Sequence, residues 1–128
     1  MSTLRSSNLL MTGPIILRAD AAPVTIPVGG VLTRSLTQPH VIVLPNAGVL
    51  DGMAGVYPSG DPLDPREDDV HLWLVQANGS CTITHQAVGV PADQQITTYT
   101  GADVVLGTSP HQLTYSYNGS SWVWSLLA

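Results

Sequence analysis

Five carboxylates, Asp61, Asp64, Glu67, Asp68 and Asp69, fall within nine residues, with Pro62 and Pro65 between them. A cluster of this kind could hold Ca²⁺, which takes about six to eight oxygen ligands. The spacing does not match an EF-hand loop. A solvated loop, or one that meets arginines of a neighbouring subunit, accounts for the same residues. Paired carboxylates also act as acid and base in glycoside hydrolysis, but there they face each other across a cleft. Neighbours on one loop do not make that pair. The histidines are His40, His71, His85 and His111, and no two have the i, i+4 spacing of a helical zinc motif. His71 and His85 flank a predicted hairpin. With one carboxylate they would suffice for zinc, and local hydrogen bonding explains them equally well.

Nucleophilic chemistry is poorly supported. Cys81 is the only cysteine and falls in mid-strand, with no helix N-terminus to lower its pKa. No Gly-x-Ser-x-Gly elbow is present, and Val28-Gly29-Gly30-Val31 lacks the Gly-Lys-Ser/Thr tail of a phosphate loop. Asn78-Gly79-Ser80 and Asn118-Gly119-Ser120 match a glycosylation sequon, yet tight turns explain both. The expectation is therefore a non-enzymatic protein without a cofactor or metal. Trp73, Trp122 and Trp124 could form a platform for sugar rings. Core packing or a subunit interface is the expectation for at least two of them, and Trp122→Ala is expected to be severely destabilising.

The elements that must position these residues are strands. Glycines (12) and prolines (10) recur at short intervals, and no window sustains a helical apolar period. Thr, Val and Tyr dominate the runs between. Predicted strands lie at 14–18, 24–28, 31–36, 40–44, 70–76, 81–85, 95–100, 103–106, 112–117 and 122–126. The turn at Asn78-Gly79 predicts a hairpin between 70–76 and 81–85, and Asn118-Gly119 predicts another before Trp122. Residues 45–69 read as one long loop. Short strands at this spacing predict an all-β domain, a small jelly-roll-like sandwich or barrel. It would span residues 13–128, preceded by an extended N-terminal arm over residues 1–12.

Composition then restricts the partners. Only 10 % of residues are charged, against about 25 % in ordinary soluble domains. A surface with so few charges is poorly defended against association. The basic residues, Arg5, Arg18, Arg34 and Arg66, are scattered, there is no lysine, and the net charge is −5. Neither nucleic acid nor an anionic membrane is an expected partner. No stretch approaches a membrane span. The arm carries Leu4, Leu9, Leu10 and Met11 without a continuous apolar run or a small-residue cleavage site, so it reads as a contact segment rather than a signal peptide. A free cysteine suits folding in a reducing cytosol. The strands at 40–44 and 70–76 are apolar on both faces, which marks Val41, Val43 and Trp73 as further interface candidates.

The segment from Asp69 to Leu126 carries a resemblance. It runs Val70-His71-Leu72-Trp73-Leu74-Val75-Gln76 to a glycine turn and then Thr82-Ile83-Thr84. An Ile96-Thr97-Thr98-Tyr99-Thr100-Gly101 step follows, and a last strand closes on Asn118 to Ser121 and Trp122. This order of turns and strands resembles a module of tailed-bacteriophage virion proteins, found in head fibres, tail fibres and head-decoration proteins, commonly as homotrimers. The resemblance implies a structural component of a phage particle, assembled in the host cytoplasm. A short chain without a fibre shaft fits a capsid decoration (cement) protein, trimeric and seated on the major capsid protein or other virion proteins. The alternative is a head or tail fibre domain that binds host-surface glycans. The loop at 45–69 is not part of the module.

Overall fold

The structure is a computed structural model, described for residues 18–35, 37–56 and 70–128. The N-terminal arm, with Leu4, Leu9, Leu10 and Met11, and the acidic cluster 61–69 lie outside the described residues.

Among the described residues there are ten strands and no helix, so the all-β expectation holds. They are β1 (Val31–Ser35), β2 (Val41–Leu44), β3 (Gly48–Leu50), β4 (Gly52–Val56), β5 (Val70–Ala77), β6 (Cys81–Ile83), β7 (Ile96–Thr98), β8 (Val104–Leu106), β9 (His111–Tyr117) and β10 (Trp122–Leu126). Two of them, β3 and β4, fall inside the stretch expected to be loop. Their Gly-Val-Leu and Gly-Met-Ala-Gly-Val sequences are too glycine-rich to show a strand signal. They are held instead by neighbours far along the chain. The strand expected at 24–28 is not one, although Val24 N–H donates to Val43 O at 2.8 Å.

The strands form three sheets, ordered β1-β4, β2-β5-β9-β10-β7 and β3-β6-β8. Each of the first three strands lies parallel to the strand three places later: β1 to β4, β2 to β5 and β3 to β6. The chain therefore makes two successive passes over the same three sheets. β8, β9 and β10 then add antiparallel pairings, and β7 lies parallel to β10. The sandwich or barrel expected from turn spacing is not established by these pairings. Four of the seven are parallel, and hairpin-built sheets pair antiparallel.

The Asn78-Gly79 turn shows why. It joins strands of different sheets, so it is a corner and not the hairpin expected. Gly79 has φ +127°, and a Cβ there would run into the Asn46 side chain. Asn46 Oδ1 accepts from Ser80 N–H at 2.9 Å, and Ala47 N–H bonds Ser80 O. The corner of one pass is thus tied to the corner of the next. Asn118-Gly119 does make its hairpin, between β9 and β10, where Trp122 pairs with Tyr117.

One core joins all three sheets. Leu32, Ile42, Leu50, Met53, Ile83 and Leu106 are buried in it, as are Trp73 and Trp124. Each large aliphatic side chain so enclosed contributes about 1.5–3 kcal/mol.

Candidate functional site

The five-stranded sheet has two chemically different faces. Residues pointing inward are large and buried: Ile42 and Leu44 on β2, Trp73 and Val75 on β5, Leu113 on β9, Trp124 and Leu126 on β10. The alternating residues point outward. On β2 these are Val41 and Val43; on β5 they are Val70, Leu72, Leu74 and Gln76. Across the sheet, register places Ser116, Thr114 and Gln112 opposite Val70, Leu72 and Leu74. Val123 and Ser125 of β10 continue the rows, and Thr97 of β7 ends one. None of these outward residues is charged. The face divides into an apolar half on β2 and β5 and a hydroxyl and amide half beyond. Val70 and Leu72 are 62 % and 48 % exposed.

Both edges of this sheet are closed. On the β2 side, Asp20 N–H donates to Val41 O at 3.0 Å and Val41 N–H to Arg18 O at 3.2 Å. Val43 N–H donates to Asp20 Oδ2 at 3.0 Å. On the β7 side, Gln86 N–H donates to Ile96 O at 2.8 Å, and Thr98 N–H to His85 Nδ1 at 3.0 Å. Strand addition at either edge would have to displace these bonds.

Beneath β2 lies a charged pair that sequence reasoning missed. Arg34 shares the inward face of β1 with Leu32, and its side chain is 3 % exposed. Its Nη2 donates to Asp20 Oδ1 at 3.1 Å and to Pro39 O. The guanidinium lies 5.7 Å from the centre of the Trp73 ring, whose face also stacks on His40 at 4.3 Å. Asp20 reads as a turn residue in the sequence. The one available signal is Arg34 at an inward position of an alternating strand.

His40 has its pKa lowered from about 6.5, chiefly by burial and further by the Arg34 charge. The unfolded chain therefore binds the proton more readily than the folded one, and stability falls as pH drops through the unfolded value near 6.5 toward the lower folded value. The melting temperature should decline between about pH 7 and pH 5. His40→Asn should lose the part of that decline due to this ring. Superimposable profiles of the two proteins would show that the ring protonates freely.

The other residues singled out in the sequence are dispersed. Val41 and Val43 lie on the outward face of β2 and are half-buried. Trp73 points the other way and is 1 % exposed, so its surface is covered within the chain and no neighbour can reach it. The strand is apolar on both faces, but only Val70, Leu72 and Leu74 among its apolar residues face outward. His71 is buried on β5 facing Tyr115, whereas His85 lies beside β7 and accepts from Thr98. The two do not face each other, because the hairpin between them is a corner. Among the described residues, no three His, Cys, Asp or Glu side chains are grouped to hold a metal ion. Burial of Cys81 pushes its thiol pKa up, away from the nucleophilic thiolate.

The tryptophans sit in two environments. Trp73 and Trp124 are core residues. Trp122 is only half-buried, stacked on Tyr115 at 5.1 Å, with Tyr117 beyond it at 5.9 Å. Burial, and then the charge of Asp93, raise the Tyr115 pKa.

No family model matches the chain, and no curated protein or solved structure matches it either. The site is therefore defined by its own chemistry: a broad uncharged sheet face with closed edges, over a buried ion pair that fixes the strand beside it.

Proposed function

We propose that this chain is a structural subunit of a particle, a homotrimeric decoration protein that seats on the shell of a tailed-bacteriophage head. The observation that carries this reading is the uncharged outward face of the five-stranded sheet. A face this wide with exposed Val70 and Leu72 is a poor surface to leave in water. It offers no convergent catalytic groups, so its function is contact. The resemblance of residues 69–126 to virion modules supplies the particle. In such a role three copies pack about a three-fold axis and bridge neighbouring capsid subunits, which resists pressure from the packaged genome. The arm, residues 1–12, adds contacts to a neighbour or to the shell.

Light scattering on the full chain should return the mass of three copies, and the protein should co-sediment with phage heads stripped of their decoration. A monomer that fails to bind heads would overturn the reading. A second reading has its own observation. Tyr115, Tyr117 and Trp122 form a half-buried aromatic ladder at one end of the sheet, a suitable platform for a sugar ring. A fibre domain that binds host glycans would use it. Specific retention on a glycan array, lost in Trp122→Ala, would favour that reading over decoration.

A further inference from the structure

We infer that the copies of this chain meet through the outward face of the five-stranded sheet, with the contact centred on Leu72 of β5. This rests on the assembly reading above and adds to it the surface. Three observations point to a second copy as the occupant.

The first is self-complementarity. About a symmetry axis of any order the residues nearest the axis meet their own copies, although only a two-fold axis pairs the same patch throughout. A face of carboxylates, or of arginines, would repel its own kind there. This face holds only aliphatic, hydroxyl and amide side chains. Aliphatic groups pack on themselves, and Thr114, Ser116 and Gln112 each carry both a donor and an acceptor, so they can bond to their own copies. No charge on either side has to be stripped of water.

The second is the closure of the edges. Association through a sheet proceeds by adding a strand at an edge or by stacking on a face. Residues 18–24 occupy the β2 edge, and residues 85–86 occupy the β7 edge. Stacking is what remains open.

The third is area. With strands about 4.8 Å apart and about 3.3 Å per residue, the face projects to about 450 Å². Side-chain relief adds to that flat figure. The result is of the same order as the ~800 Å² that each partner contributes to a standard specific interface. The apolar stripe of β5 and β2 would form the dry centre, and the Ser/Thr half the rim.

The experiment is charge insertion on the full chain, read by light scattering and circular dichroism. Leu72→Glu and Val70→Glu place a carboxylate on this face, and Val105→Glu places one on the three-stranded sheet, where Val105 is 65 % exposed. All three positions are exposed, so the β spectrum should be retained. Leu72→Glu should weaken self-association on the order of a hundredfold or more, since identical charges would be buried opposite each other. Val70→Glu should act in the same direction, and Val105→Glu should leave the oligomer intact. If the wild type is oligomeric and both β5 variants remain so, the surface assignment is wrong while the assembly reading stands. If Val105→Glu dissociates the protein equally, the assignment also falls. If the wild type is monomeric at every concentration, the assembly reading fails and takes this inference with it. If Leu72→Glu loses its spectrum, Val70→Glu at the start of the strand decides.

Discussion

Asp20→Ala is expected to lower stability by about 3–5 kcal/mol, the range for removing one partner of a buried ion pair. The Arg34 side chain is 3 % exposed and that of Asp20 9 %, so the guanidinium left behind stays largely shielded from solvent. Asp20 also accepts from Val43 N–H through its second oxygen. Its removal therefore leaves a charge and a backbone donor unsatisfied together. The stability of a whole domain is about 5–15 kcal/mol, so the variant should be near its folding limit. Chemical denaturation supplies the measurement. The double variant Asp20→Ala/Arg34→Met should recover much of the loss, because the stranded charge is gone and the Met stem still packs beside Trp73. A single variant within 1 kcal/mol of wild type would mean that the pair is solvated in the folded protein.

Trp124→Ala should be of similar size, about 3–5 kcal/mol, from lost burial and the cavity left behind. Trp124 is fully enclosed on β10 of the five-stranded sheet, between Tyr115 on β9 and Ile96 on β7, with its ring 4.5 Å from that of Tyr115. Trp122→Ala should cost markedly less, because that ring is half in solvent and its main partner is a tyrosine stacked on it. The sequence expectation of a severe effect at Trp122 attaches instead to the next inward position. Trp124→Phe adds a sharper test. The indole Nε1 of Trp124 is buried and has no acceptor among the described residues. Phe gives up some volume but also removes that stranded donor, so its cost should be a small fraction of the Ala cost. Equal melting temperatures for Trp122→Ala and Trp124→Ala would contradict the burial assignment.

The second half of the chain was the more legible in sequence. Strands β6 and β9 alternate cleanly, and Cys81 and Ile83 share the inward face as their spacing predicts. The Asn118-Gly119 hairpin follows the same local rule. What was hidden is non-local. Parallel strands carry no turn signature, since their partners lie a whole pass away: Val31 sits against Gly52, and Val41 against Leu74. An Asn-Gly turn reads identically whether the chain doubles back or rounds a corner, and Gly79 is committed to the corner by Asn46, distant in sequence. Of the candidate face, the sequence marks Val41 and Val43, on a strand apolar on both sides, and the structure places them outward on β2. Trp73 faces inward, a direction hidden in sequence because alternation on β5 is obscured by four consecutive apolar residues, Leu72 to Val75. The pairing of Asp20 with Arg34 gave no pattern, because a salt bridge between a turn and a strand has no characteristic spacing.

The two-pass connectivity also bears on how the chain reaches its fold. Hairpin β9-β10 closes over a four-residue turn, Asn118 to Ser121, whereas Val31 must find Gly52 and Gly48 must find Cys81. Loop-closure entropy for each parallel pair is spent before any of its contacts form. The local hairpin is thus the natural nucleus, and β5 its first long-range recruit, through the extensive antiparallel register with β9. The first pass, β1 to β3, can dock only when the second exists to receive it. Folding should therefore fall toward the slow, millisecond-to-second end for small β domains. In that interval the apolar strand β2 and the β5 edge that receives it are unpaired, so yield on expression should depend on keeping nascent copies dilute.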